Sequence, residues 1–197
     1  MLFVVSLAKK STAKTLLVSK LQNIEDEEVV ILLISPRTNE QLNLIIQQMF
    51  ILNRILDRAV SIMSVKFCCV ESSEVIHKKF AHKFPLLADQ ISEIQDAFNV
   101  LTDYLETPTD VSDYNSLSEM FERVLENVMS ANDLITGAIE IANEESDINV
   151  KASLQSFLAT DFIKYIKQSI ILRDKAILYG DNILQFDRDI NTFFKLE

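Results

Sequence analysis

Between residues 38 and 65, apolar side chains recur at steps of three and four positions, with polar residues between them. Residues at these spacings share one face of an α-helix, so the pattern predicts a long helix with one buried side. The 197 residues include only 2 Gly and 3 Pro, which leaves few helix breakers or tight turns. An all-α fold is therefore predicted. The apolar positions of this first helix are Leu42, Ile45, Ile46, Met49, Leu52, Ile55, Leu56, Ala59, Ile62 and Met63.

The same periodicity predicts four further helices. Helix one is placed at 38–65, helix two from residue 74 or 80 to Glu106, helix three at 116–143, helix four at 148–178 and helix five at 183–195. Thr38 is the expected N-cap of helix one and Ser116 that of helix three, because Gln or Glu follows each three residues later. Gly180 is the expected stop of helix four. Four long amphipathic helices are typical of a four-helix bundle.

Net charge and cysteine content narrow the binding partners and the cellular compartment that the chain suits. A net charge of −10 argues against an outer surface that grips nucleic acid or anionic lipid, which needs clustered Lys and Arg. The two cysteines, Cys68 and Cys69, are adjacent and do not suit a disulfide, which favours a reducing compartment. The apolar runs near the N-terminus are too short for a membrane span. The chain is expected to be soluble and cytoplasmic.

Three regions are predicted along the chain: an N-terminal extension at 1–37, a bundle at 38–182, and a short helix of the same domain at 183–197. The extension has basic residues first and an acidic cluster at 25–28. Its run Val29–Ile34 is interpreted as a strand or a buried helical turn. Pro36 is expected to end whatever precedes it, because the residue before proline is disfavoured in the helical region.

Residues 116–190 contain short motifs whose order and spacing resemble the second half of bacterial non-haem ferritins. The resemblance implies a ferritin-like four-helix bundle with a long crossover and a short fifth helix. The crossover would fall between helices two and three, which would place the end of helix two before Glu106. The resemblance also implies self-assembly into a hollow octahedral shell of 24 subunits, with helix five lining the fourfold axes. The matching segments are Phe121-Glu122-Arg123-Val124-Leu125-Glu126, Leu134-Ile135, Glu144-Glu145-Ser146-Asp147, Gly180-Asp181-Asn182 and Phe186-Asp187-Arg188-Asp189-Ile190.

The resemblance also indicates where a di-iron ferroxidase centre would lie, and these positions lack ligands. The helix-three glutamate is replaced by Val128, and the helix-one glutamate by an aliphatic residue near Ile45. On helix two, Asp103-Tyr104 as the anchor puts Ile94 and Ala97 at the Glu-x-x-His positions. This weaker match requires an insertion between helices one and two, which covers Cys68, Cys69, His77 and His82.

Helix four allows two registers that differ by one residue. Asp161 is the one carboxylate in either, which is too few oxygen ligands for two iron ions. Counting forward from the acidic turn at 144–147 gives Thr160, Asp161 and Lys164; counting back from Gly180 gives Asp161, Phe162 and Tyr165.

The lysines of helix four, Lys164 and Lys167, have two interpretations. Facing a cavity, they would repel cations and hold anionic cargo such as phosphate or nucleic acid. Facing solvent, Lys164 would pair with Asp161 one helical turn earlier.

No catalytic, cofactor-binding or metal-binding residue is predicted, and no cofactor is expected. The preferred function is a cage-forming, non-catalytic compartment or storage shell without a conventional ferroxidase centre. The alternative is an iron-storage ferritin with iron at a relocated site, using Asp161, Glu126 or the pair Glu74 and His77. A third reading is an interaction bundle that forms no closed shell.

Overall fold

The computed structural model describes residues 33–196, and this part of the chain is all-helical, as predicted. Helix one is α1. Helix two consists of α2, a π-helical turn and α3; helix three is α4; helix four consists of α5, a second π-helical turn and α6; helix five is α7. The bounds are α1 Pro36–Val65, α2 Val70–Ile76, π turn His77–Ala81, α3 Lys83–Ala97, α4 Leu117–Glu144, α5 Ile148–Ser156, π turn Phe157–Phe162, α6 Ile163–Tyr179 and α7 Ile183–Phe193.

Contacts between the helices give their directions. Gln95 donates to Asn39 at 2.6 Å, which joins the end of helix two to the start of helix one. Arg37 pairs with Glu144 at 2.7 Å, which joins the start of helix one to the end of helix three. Helices two and three both run antiparallel to helix one, and are therefore parallel to each other. Such a pair needs a long connection, which residues 98–116 provide.

This crossover follows helix one from its start to its end. Its residues are reached in chain order by two side chains of helix one and by Lys66 at the C-cap of that helix, so it lies parallel to helix one. Helix four returns antiparallel to helix three, where Arg173 pairs with Glu122 at 3.3 Å. The crossover contacts are Gln47 to the carbonyl of Glu106 at 2.6 Å, Arg58 to that of Ser112 at 2.8 Å, and Lys66 to the carboxylate of Asp113 at 2.9 Å.

Helix one begins earlier than predicted. Its N-cap is Ser35, whose hydroxyl accepts from the backbone N–H of Thr38 at 3.0 Å. Pro36 occupies the first helical position, where its missing N–H costs nothing, so it starts this helix. Thr38 is a buried helical residue and does not cap the helix. The predictions for residues 1–32, including the run from Val29, lie outside the described residues.

Helices one and two are joined by Lys66 to Cys69 alone, so the predicted insertion is wrong. His77 and His82 belong to helix two and its π turn. The start of helix two is capped from helix five: the buried carboxylate of Asp187 accepts from the N–H groups of Ser72 at 2.6 Å and Glu71 at 3.4 Å. At a helix N-terminus, a carboxylate accepts hydrogen bonds from the free backbone amides and interacts favourably with the positive end of the helix dipole. This contact fixes helix five against helix two.

Helix two ends at Ala97, nine residues before the predicted end at Glu106. Asn99 adopts φ +56°, a left-handed conformation that an α-helix cannot continue through. Beyond Asn99, residues of the crossover hydrogen-bond to side chains of helices one and two. Asp103 N–H donates to Asn43 Oδ1 at 3.1 Å, and the Thr102 hydroxyl donates to Gln95 Oε1 at 2.8 Å. Apolar residues of 100–105 continue the helical pattern in sequence, but belong to the crossover.

The remaining helix ends follow the predictions. The hydroxyl of Ser116 accepts from the N–H of Glu119 at 3.1 Å, and the Glu119 carboxylate accepts from the N–H of Asn115 at 2.8 Å. Helix four ends at Gly180, whose φ of +53° is open mainly to glycine. Within residues 33–196, no helix combines the length and hydrophobicity needed to cross a bilayer.

The two glycines are expected to respond oppositely to alanine. Gly180→Ala should cost about 1–2 kcal/mol of unfolding free energy, because a side chain is strained at φ +53°. Gly137→Ala should add about 0.5–1 kcal/mol, since it lies inside helix three with open space around the new Cβ. Denaturant midpoints measure both. Equal signs for the two variants would contradict this assignment of backbone conformations.

Candidate functional site

The interior of the bundle midway along its helices is where the sequence comparison placed a metal centre. On helix one, Ile45, Ile46 and Met49 are completely buried there. On helix three, Val128 is completely buried, and the carbonyl of the preceding Asn127 accepts from Gln48 of helix one at 3.2 Å. Ile45 and Val128 therefore both lie in the core, where the sequence comparison expected them.

Helix two faces the core with residues other than those predicted. Ile94 and Ala97 lie in its last turns, and Ala97 is exposed. Asp103-Tyr104 proved to be part of the crossover, so it could not give a helical register. The buried residues nearer the middle are Phe84, Leu87, Ala88 and Ile91, with exposed fractions of 0–3%.

The π turn of helix four explains why two registers fitted the sequence. Leu154 precedes the turn and Phe157 begins it, and both are buried; Phe162 ends the turn and Tyr165 follows it, and both are buried as well. The step from 157 to 162 is five residues, which would leave the buried face of an α-helix but fits a π turn. The turn adds one residue to the helical repeat, so the count forward from the acidic turn loses register across it. Its Thr160 and Lys164 are exposed, whereas the count back from Gly180 gives the buried Phe162 and Tyr165. Near the middle of the bundle, the inward residues are Phe162 and Tyr165.

Aromatic rings fill the space between helices two and four. Phe84 lies 5.4 Å from Phe80 and 5.5 Å from Tyr165, measured between ring centroids. The rings of Phe80 and Tyr165 stack at 6.0 Å, and Phe162 lies 6.4 Å from Tyr165. Burial raises the pKa of the Tyr165 phenol, with the nearby negative charge of Asp161 adding to it. The volume between these helices holds hydrocarbon and a neutral phenol.

The carboxylates named in the alternative site lie on separate surfaces. Glu126 is exposed and pairs with Arg123 at 3.5 Å. Glu74 pairs with Lys78 at 2.5 Å, and the pKa of Glu74 is lowered by its hydrogen bond with that lysine. Glu74 and His77 line one surface cavity, whereas Glu126 pairs with Arg123 on helix three and Asp161 with Lys164 on helix four.

Asp161 and the two lysines of helix four lie outside the core. Asp161 accepts a hydrogen bond from Thr160 at 2.8 Å and lies 3.7 Å from Lys164. Lys164 and Lys167 are exposed on the single chain. The predicted pairing of Lys164 with Asp161 is present in the structure.

The cysteines have structural surroundings. Cys69 is buried, and its burial raises the pKa of the thiol to about 12, with the charge of Asp187 adding to the effect. It is therefore a protonated core residue at neutral pH. Cys68 is exposed at the turn between helices one and two.

The sequence analysis paired His77 with Glu74, and the contribution of Asp57 escaped it. The structure places His77 beside His82 of the same helix and Asp57 of helix one. Little in the sequence signals this arrangement. The two histidines are five residues apart, and an uninterrupted α-helix would direct them to different faces.

Three solved ferritin structures share this architecture. A humanized archaeal ferritin superimposes with a TM-score of 0.70 at 19% identity, covering 80% of this chain and 95% of that chain. An open pore ferritin from the hyperthermophilic archaeon Archaeoglobus fulgidus superimposes with a TM-score of 0.71 at 18% identity, covering 81% and 98%. A further structure of the Archaeoglobus fulgidus ferritin gives 0.70 at 18% identity, covering 79% and 96%.

The chain has a ferritin-like fold. The sequence resemblance to ferritins is thereby confirmed at the level of architecture, including the four long helices, the crossover and the short fifth helix. No protein-family model and no curated protein sequence matches the chain. Since a fold hosts many functions, the chemistry of this ferritin-like chain has to be argued from its own residues.

Proposed function

We propose that the chain is the subunit of a ferritin-like cage without a conventional di-iron ferroxidase centre, and that the cage is a non-catalytic compartment or storage shell. One observation carries the proposal. The inward side chains midway along the four helices are hydrocarbon or aromatic: Ile45, Phe84, Val128 and Phe162, each with 0% exposure.

Two adjacent iron ions need several inward carboxylates and imidazoles to balance their charge. Within residues 33–196, Asp187 is the one buried carboxylate. Its oxygens accept hydrogen bonds from the first amides of helix two, at the end of the bundle. Asp187 therefore caps helix two and is not available as a metal ligand in the bundle centre.

Assembly into a homo-oligomeric shell is supported by the surface of the single chain. The crossover exposes large apolar side chains, with Leu101 at 86%, Val111 at 80% and Tyr104 at 64%. Large apolar side chains left in water favour burial against another protein surface. The solved ferritins with the same fold favour copies of the chain itself as the contact, and the resemblance suggests 24 subunits.

The first test is aerobic addition of ferrous iron to the purified protein, followed by absorbance against a protein-free blank. Oxidation at the rate of the blank is expected, because the inward side chains midway along the helices of residues 33–196 are hydrocarbon or aromatic. Rapid oxidation with iron retained on the particle would overturn the proposal and favour the iron-storage alternative.

Electron microscopy and light scattering test the shell independently. A hollow particle of many subunits is expected; a particle with the 22.5 kDa mass of one chain would contradict assembly. Elemental analysis of the native particle addresses its content. Phosphorus in excess of metal would support anionic cargo held by Lys164 and Lys167, whereas an iron-rich core would favour storage of iron.

A further inference from the structure

The chain has two histidines, and the structure brings them side by side. The centroids of the His77 and His82 rings are 4.2 Å apart. Ligand atoms of both residues and of Asp57 on helix one lie within 4.8 Å of one another. We propose that Asp57, His77 and His82 form a binding site for a single divalent transition-metal ion such as Zn²⁺. The site is separate from the bundle centre and does not depend on the cage function.

The π turn creates the site. Residues five apart in an α-helix point about 140° away from each other, so His77 and His82 would lie on different faces. In the structure, the backbone N–H of His82 donates to the carbonyl of His77 at 3.3 Å, the five-residue hydrogen bond of a π turn. This winding returns the chain to nearly the same face after five residues. Both imidazoles consequently face Asp57 across the groove between helices one and two.

The donor set suits a borderline metal ion. Two imidazole nitrogens and one carboxylate oxygen bind Zn²⁺ and Fe²⁺ well, and leave further positions for water. In a tetrahedral zinc site, bonds of about 2.0–2.1 Å place neighbouring ligand atoms about 3.4 Å apart. His77 Nε2 and Asp57 Oδ1 are 3.7 Å apart. Small side-chain rotations would close the set, and these groups are free to make them because both side chains are nearly half exposed.

Neighbouring charges favour this set over the Glu-x-x-His pair. The Glu74 carboxylate forms an ion pair with Lys78 at 2.5 Å, so it does not compete as a metal ligand. The same pair neutralises the positive charge of Lys78 near the proposed site. Solvent and an exchangeable ligand can approach, because His77 also lines an open surface cavity of about 520 Å³.

Isothermal titration calorimetry with Zn²⁺ tests the proposal on the full chain, prepared without a polyhistidine tag. His82→Ala and Asp57→Asn should each weaken binding by about tenfold or more, since even indirect partners of a metal ligand contribute that much. Glu74→Gln is the matched control and should leave Zn²⁺ affinity unchanged. Circular dichroism checks that each variant is folded, which the exposure of the substituted residues favours.

The outcomes are distinct. Equal Zn²⁺ affinity in the wild type and in His82→Ala would overturn the site, and so would loss of binding in Glu74→Gln alone. Electron paramagnetic resonance with Cu²⁺ as the probe gives a second readout: two imidazole nitrogens on the ion are expected, and one in His82→Ala. Neither measurement depends on particle size or iron oxidation, so failure here leaves the cage proposal standing, and the reverse also holds.

Discussion

Val128→Glu should destabilise the protein by about 3–5 kcal/mol at neutral pH. Val128 is completely buried in helix three, and a carboxylate there would lose its water without gaining a partner. Burial raises the pKa of such a carboxyl in the folded state, so the unfolded chain releases its proton first as pH rises. The penalty should therefore grow by up to about 1.4 kcal/mol per pH unit above about 4.3, until the folded pKa is reached.

Met129→Glu is the matched control for this variant. Met129 neighbours Val128 on the same helix and is 39% exposed, so a carboxylate there remains hydrated. Its effect on the free energy of unfolding, obtained from denaturant titration, should stay within about 0.5 kcal/mol. A Val128→Glu variant as stable as this control would mean that water or ions reach the bundle centre. That result would remove the basis for a subunit without a ferroxidase centre.

Phe84→Ala should cost about 3–5 kcal/mol of unfolding free energy. The ring is fully buried between helices two and four, and alanine would leave a cavity that its rigid neighbours cannot fill. The ring contacts with Phe80 and Tyr165, at 5.4 and 5.5 Å, are each worth about 0.5–1.5 kcal/mol. Their loss places the expected cost near the upper end of this range. Chemical denaturation followed by circular dichroism measures the change.

Leu86→Ala on the same helix separates burial from helix propensity. Leu86 is 56% exposed, so its truncation should change stability by no more than about 0.5 kcal/mol. If Phe84→Ala cost as little as Leu86→Ala, the aromatic cluster would not be the packed centre that joins helices two and four. The argument that this space holds rings in place of metal ligands would then fail.

Local sequence signals were reliable where short-range chemistry sets the structure. The capping box at Ser116 and the helix stop at Gly180 depend on residues within four positions, and both are present as predicted. The cap of helix one was misplaced at Thr38, because a Ser-Pro pair three residues earlier provides a stronger start.

Helix two shows the limit of periodicity. Its apolar pattern continues past Ala97, yet the chain leaves the helix there and its polar groups bind Asn43 of helix one. The start of the helix was missed because its cap, Asp187, lies 115 residues away from Ser72 in sequence. Long-range partners of this kind leave no periodic signal.

The amino-acid sequence by itself determined the all-helical class, the amphipathic faces and the resemblance to ferritins, because helix propensity and hydrophobic spacing act over a few residues. Tertiary structure decided the registers. The π turns at His77–Ala81 and Phe157–Phe162 each rotate the following segment, and this choice rests on which side chains pack in the core. Packing thus turned Phe162 inward, left Asp161 outside, and brought His77 and His82 to one face.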